Sequence, residues 1–141
     1  MFSRARMVCV VAFITILLDP IQLKAGQMPN GCRETATQAQ LNECASNEAA
    51  NAEGERKKTY SALLKTAAND PNRPGAVAKI QSQERAWTLY RKAYLDAVFP
   101  EQDKPNAYGT IFPMRASLIW AWLTRQHVRE LQRILNAYTN P

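Results

Sequence analysis

Clusters of proline and glycine divide this chain into long segments with helical periodicity, and this spacing constrains the fold more than any other feature. Residues 37–69 contain no proline and a single glycine, and their apolar residues recur every three or four positions. Two prolines and a glycine in 69–75, and three prolines in 99–113, interrupt this pattern. We therefore predict an all-α protein, a three-helix antiparallel bundle with a long loop between helices 2 and 3.

The predicted helices span about 37–69, 76–98 and 114–138, and each has an apolar seam. Gly54 lies inside the first helix, where glycine costs about 1 kcal/mol relative to alanine, so we expect a weak point or bend there. Trp120 and Trp122 lie in an almost wholly apolar stretch and are expected in the core. The expected seams are Leu41, Ala45, Ala49, Ala52, Tyr60, Leu63 and Ala67; Val77, Ile80, Trp87, Tyr94 and Val98; and Leu118, Ala121, Thr124, Val128, Leu131 and Leu135.

Two charged residues, Glu84 and Arg91, fall on the apolar seam of the second helix. A half-buried charge needs a partner, because its removal from water is costly. The two residues are seven positions apart, roughly 10 Å along a helix, so we expect each to meet a group on another helix. We interpret them as a structural polar pair rather than as a ligand site.

The first 25 residues have the layout of a secretory signal peptide. Arg4 and Arg6 precede twelve uncharged residues, Met7 to Leu18, and Ala25 before Gly26 is a plausible cleavage point. Twelve apolar residues are too few to span a bilayer, and Asp19-Pro20 ends the run early, which disfavours the alternative of an uncleaved anchor. We therefore expect a periplasmic or secreted protein with no stable membrane span.

Cleavage would remove Cys9 and leave Cys32 and Cys44 as the only cysteines. An even number of cysteines in a small exported chain indicates a disulfide. If Thr37 caps the first helix, Cys44 lies about 10 Å along it, and the preceding strap is long enough to fold back. A metal site would need more ligands than these two thiols and one distant histidine, so we predict one N-terminal disulfide and no metal.

Catalytic chemistry is not indicated by any motif. His127 is the only histidine; it lies between Arg125 and Arg129 on a helix flank, where we expect a surface residue. No carboxylate pair is marked as acid and base, and no phosphate loop or nucleotide fingerprint is present in the sequence. We expect a protein that is not an enzyme and has no cofactor.

The mature chain would carry 15 basic and 11 acidic residues, a net charge of +4. Its basic residues, including Arg56, Lys57 and Lys58, are spread through the helices, which is typical of a solvated face. The alternative is attraction to anionic envelope polymers or lipid head groups. Export argues against a nucleic-acid partner.

Four motifs in order resemble the LprI-type lysozyme-inhibitor-like domain of small exported bacterial proteins. They are C…TQ..LNECA from Cys32, QERAWTLYRKA from Gln83, YGTIFPM from Tyr108, and Thr124 with Leu131 seven residues later. The resemblance implies a helical domain over 32–138. The family often has a second cysteine pair at positions that here hold about Leu95 and Ile119, which leaves Cys32 and Cys44 for each other.

The resemblance also implies a binding protein that blocks lysozyme, a peptidoglycan-cleaving enzyme. An inhibitor needs a stiff protrusion that fills a cleft, and 99–113 is the natural candidate, with Glu101, Asp103, Tyr108 and Phe112 as expected partner-binding residues. Many lysozymes are basic, so a positive inhibitor is repelled at long range, although Glu101 and Asp103 offer local attraction. The alternative is a structural or adaptor module of the cell envelope that binds anionic polymer or another exported protein.

Overall fold

The computed structural model of the protein describes residue 32 and residues 36–140, and its regular structure there is entirely helical. The predicted signal peptide, residues 1–25, lies outside the described residues. The predicted all-α fold with three long helices is confirmed. The elements are α1 Gln38–Ala68, α2 Ala76–Val98, α3 Lys104–Tyr108, a 3-10 helix at Gly109–Ile111, and α4 Phe112–Thr139.

Helix α1 begins with a capping box. The Thr37 hydroxyl accepts a hydrogen bond from the Gln40 N–H at 3.4 Å, and the Gln40 side-chain oxygen accepts one from the Thr37 N–H at 2.9 Å. The helix then continues for 31 residues, roughly 46 Å. Gly54 does not interrupt it, because the small cost of one glycine is outweighed by packing along the whole helix.

Contacts between the long helices define an up-down-up bundle. The start of α1 lies beside the start of α4, where Gln38 contacts Met114, and Leu63 packs with Leu131 farther along both helices, so α1 and α4 are parallel. Helix α2 runs in the opposite direction. The most extensive interface is between α1 and α4.

Small residues on α1 allow this close approach. Ala45, Ala52 and Ala67 are buried, as the predicted seam requires. The apolar core is centred on the end of the bundle next to the turn at 69–75 and contains Leu63, Ala67, Ala76, Ile80 and Leu131. The seam prediction is wrong at Val98, which is 38% exposed, because the chain turns after α2 and Phe99, only 2% exposed, takes the buried position.

The segment 99–113 connects α2 to α4 and is more regular than a loop. It contains α3 and the 3-10 helix, and α4 begins at Phe112 rather than near Met114. The Asp103 carboxylate caps α3 by accepting from the Asn106 N–H at 3.4 Å, and Pro105 lies in the first turn. A five-residue helix is too short to show periodicity, so the sequence pattern could not reveal it.

None of the helices in the described part of the chain has the length and hydropathy of a membrane span.

Candidate functional site

A cluster of polar and aromatic side chains joins the three long helices midway along the bundle. We call it the polar cluster. Two of its residues come from α1, three from α2 and three from α4. They are Glu53 and Arg56; Glu84, Trp87 and Arg91; and Trp120, Thr124 and His127.

Arg91 lies at the centre of the polar cluster and is only 7% exposed. Its guanidinium donates to the Glu53 carboxylate and, at 3.2 Å, to the Thr124 hydroxyl. It also lies 4.2 Å from the ring centroid of Trp87 and 3.5 Å from that of Trp120, close enough for cation–π attraction. One side chain of α2 is therefore bound to both other long helices.

The Glu53 carboxylate accepts three hydrogen bonds. Besides Arg91, Arg56 donates from Nε at 2.8 Å and Trp120 donates from Nε1 at 3.0 Å. Burial raises the pKa of Glu53, but the hydrogen bonds and positive charges of Arg56 and Arg91 outweigh burial and hold the pKa below its usual value. Glu53 is therefore ionised at neutral pH.

Glu84 and Arg91 both belong to the polar cluster, but the structure shows no hydrogen bond between them. Glu84 accepts from Arg56 of α1 and contacts His127 of α4, whose Nε2 lies 2.7 Å from its carboxylate oxygen. Arg56 thus bridges the two carboxylates of the polar cluster. Each of the two seam charges of α2 meets groups on other helices.

The expectation that His127 is a surface residue is wrong, since it is only 3% exposed. Its ring stacks on Trp87 with 4.0 Å between centroids and 7° between planes. Burial lowers the pKa of His127, and the neighbouring Glu84 only partly opposes this effect. The signal for burial was its spacing, three residues after Thr124 and four before Leu131, which places it on the seam of α4.

Glu53 and Arg56 are the polar-cluster residues that the sequence reasoning missed. They lie in the charged run EGERKK, which suggests a solvated surface. However, Arg56 is four residues after Ala52 and four before Tyr60, so it fills a gap in the seam of α1. Arg56 is consequently half-buried and forms ion pairs with Glu53 and Glu84, and only Lys57 and Lys58 of the basic triplet are exposed.

The polar cluster is suited to positioning helices rather than to chemistry. Both carboxylates are paired with guanidinium groups, so neither is available as a general base. Among the described residues, no group of three or more histidine, cysteine, aspartate or glutamate side chains could hold a metal ion.

The segment 99–113 is the second candidate site, and it forms a cap at one end of the bundle. Three aromatic rings anchor it: Tyr108 and Phe112 lie 5.2 Å and 5.1 Å from the buried ring of Phe99. Tyr108 and Phe112 are half-buried, whereas Glu101 and Asp103 are exposed. The structure thus divides the four predicted residues into two anchors and two exposed acids.

Side chains from neighbouring helices brace this segment. Asn42 of α1 donates to the Thr110 carbonyl at 3.2 Å, and Lys104 pairs with Asp96 of α2 at 3.3 Å. The predicted disulfide between Cys32 and Cys44 is present, with 5.9 Å between the Cα atoms. Because Cys44 is two residues from Asn42, the disulfide constrains the same end of α1.

Residues 30–131 match the protein family described as Lysozyme inhibitor LprI. The chain belongs to the LprI family. The match covers most of the chain, including the polar cluster and the segment 99–113. No curated protein and no solved structure matches the chain.

Residues of the LprI-like sequence motifs meet one another in the structure. Asn42 and Thr110 meet across α1 and the cap segment, and Arg91 and Thr124 meet across α2 and α4. These LprI motif residues therefore hold the helices and the cap segment together. Leu95 and Ile119, at the places of the family's second cysteine pair, are both half-buried.

Proposed function

We propose that this protein is an exported inhibitor of lysozyme that inserts the segment 99–113 into the enzyme's cleft. The observation that carries this proposal is the LprI family match over residues 30–131. Export is supported by the signal-like residues 1–25 and by the Cys32–Cys44 disulfide, since disulfides persist in oxidising compartments. The protein acts by binding and carries out no reaction of its own.

The rigidity of the segment 99–113 supports its role as the inserted element. Its aromatic anchors and its hydrogen bond to Asn42 hold the backbone before any partner binds. A preorganised segment loses little conformational entropy on binding, and this raises affinity.

The charge distribution of the segment supports attraction to a basic enzyme. Lys104 is neutralised by its ion pair with Asp96, so Glu101 and Asp103 dominate the exposed charge of the segment. Local attraction of this kind steers a basic partner to the cap even though the whole chain is positive.

A lysis assay with the purified protein tests the proposal. The native protein should slow the lysis of bacterial cells by lysozyme. The double variant Glu101→Gln, Asp103→Asn should lose most of this inhibition at low salt without losing stability, because asparagine can replace aspartate as the cap of α3. Glu55→Gln with Glu130→Gln, which removes two exposed acids from α1 and α4, is the matched control and should inhibit normally.

Two results would contradict this proposal at different levels. If the native protein does not slow lysis, the inhibitory function is wrong. If the Glu101 and Asp103 double variant inhibits as well as the control, the function stands and the binding site lies elsewhere.

A further inference from the structure

A partly exposed row of three aromatic rings crosses from α2 to α4, and none of its residues takes part in the polar cluster or the segment 99–113. We call Tyr90, Tyr94 and Trp122 the aromatic row. Ring centroids are 6.1 Å apart between Tyr90 and Tyr94, and again between Tyr94 and Trp122. Tyr90 is 55% exposed, and the other two rings are half-buried.

The rings of the aromatic row meet at an angle rather than face to face. The planes of successive rings are tilted by 56° and 47°, so the rings do not stack closely on one another. The row runs from α2 to α4 and Tyr90 is its most exposed ring, so a ligand that spans both helices, such as an extended polymer, can contact all three rings.

Two exposed arginines flank the aromatic row on α4. Arg115 and Arg129 lie seven residues before and after Trp122, which places them on the same face, roughly 10 Å away along the axis in each direction. Both are exposed, and neither forms an ion pair with a described residue. Arg115 lies 5.8 Å from the centroid of the Phe99 ring, which leaves its hydrogen-bond donors available. The face therefore combines apolar rings with uncompensated positive charge.

We propose that the aromatic row with Arg115 and Arg129 is a binding face for an anionic glycan strand, and specifically for peptidoglycan. The apolar faces of sugar rings pack on aromatic side chains, whose rings combine apolar surface with polar edges. Guanidinium groups bind carboxylates strongly, and the stem peptides of peptidoglycan supply free carboxylates along the strand. The net charge of +4 expected for the mature chain, from 15 basic and 11 acidic residues, also favours binding to an anionic polymer.

Such a face gives a physical benefit to an inhibitor of lysozyme. A protein held on the polymer that the enzyme cleaves meets the enzyme at a high effective concentration. Binding of both proteins to one anionic polymer also opposes the long-range repulsion between two basic proteins. The glycan-binding proposal does not rest on inhibition, since its test contains no lysozyme.

Co-sedimentation of the purified protein with protease-treated, protein-free peptidoglycan sacculi is the test. The native protein should pellet with the sacculi, and salt should weaken the binding as it screens the arginines. Tyr90→Ala and Trp122→Ala should each weaken binding roughly fivefold or more, as expected for an anchor residue. Arg129→Gln should weaken binding and reduce its salt dependence.

Matched controls distinguish binding by this face from non-specific hydrophobic adsorption and from non-specific attraction to positive charge. Leu89→Ala removes a side chain of α2 that is 70% exposed but lies outside the aromatic row, and it should bind normally. Lys58→Gln removes one exposed positive charge from α1 and should also bind normally. Trp122 is half-buried, so Trp122→Ala could weaken binding by destabilising the fold. If this variant has a lower melting temperature, the result for Tyr90→Ala decides the test.

Four outcomes would overturn the proposal. The native protein could fail to pellet, or Tyr90→Ala could bind as well as the native protein. Leu89→Ala or Lys58→Gln could weaken binding as much as the row variants do. Finally, a single-stranded oligonucleotide that competes as well as soluble peptidoglycan fragments would identify a general polyanion surface.

Discussion

Replacement of Arg91 by alanine removes the central cation of the polar cluster. Arg91 is only 7% exposed, and its guanidinium bonds to α1 and α4 at the same time. Its loss leaves the Glu53 carboxylate without one of its two cations and opens space between Trp87 and Trp120. We therefore expect a large loss of stability with little change in helical content in the folded state.

The size of the loss follows from what remains around Glu53. Removal of one partner from a buried ion pair costs about 3–5 kcal/mol. Glu53 keeps its bonds to Arg56 and Trp120, and its side chain is 21% exposed, so water can take part of the place of the guanidinium. Both features favour the lower end of the range, and we expect the free energy of unfolding to fall by about 3 kcal/mol.

Urea unfolding followed by far-UV circular dichroism, with the disulfide intact, measures this change. The matched control is Lys92→Ala, which truncates the next residue of α2, an exposed lysine, and should change stability by no more than about 0.5 kcal/mol. In a double-mutant cycle with Glu53→Gln, the two changes should be coupled by about 0.5–3 kcal/mol. An Arg91→Ala variant within about 0.5 kcal/mol of the native protein, or a coupling near zero, would refute the reasoning.

Three further predictions concern pH, the disulfide and two glycines. Burial lowers the pKa of His127 below its ordinary value of 6.5, so the unfolded chain binds the proton first and stability should fall as the pH drops below 6.5. His127→Gln should flatten the pH dependence of the free energy of unfolding between about pH 5 and 7, measured by urea unfolding. Glu53 contributes little in this range, because its pKa is lowered from 4.5 and its effect on stability therefore lies below pH 4.5. An unchanged slope would show that His127 is not the group responsible. Cys44→Ser should lower the free energy of unfolding by about 3 kcal/mol, because the disulfide closes a short loop in the unfolded chain; an unaltered urea midpoint would contradict this account. Gly54→Ala should stabilise the protein by up to about 1 kcal/mol, since Gly54 is helical and nothing lies within 4 Å of the added carbon. Gly75→Ala should destabilise it, because the φ of Gly75 is +77° and alanine disfavours that conformation. Melting temperatures that shift in the same direction for both variants would contradict these backbone conformations.

The local elements of this fold could be predicted because their signals are local. The capping box at Thr37, the breaks at 69–75 and 99–113, and the periodic apolar residues depend only on neighbours in the chain. The short helix α3 was missed because five residues carry no periodic signal, although Asp103 and Pro105 are good helix-start residues.

The two candidate sites could be predicted to different extents. Glu84 and Arg91 were recognisable as seam charges, but their partners were not, since the sequence of one helix does not specify which residue of another lies opposite. His127 and Arg56 show this limit most clearly: each has the spacing of a buried residue, but its charged neighbours suggested a solvated surface.

By itself, the sequence determined the three long helices, the Cys32–Cys44 pairing and the LprI family, because propensity, spacing and motif order are written along the chain. The tertiary structure alone decided that Glu53 and Arg56 meet Glu84, Arg91 and His127 in one largely buried cluster. It also decided that Tyr90, Tyr94 and Trp122 form one partly exposed row. The physical reason is that a charged or aromatic side chain can lie on a helix face that is exposed to water or on one that is buried. A buried charge is tolerated only where an opposing helix supplies a partner, and the sequence of one helix does not show which residues lie opposite.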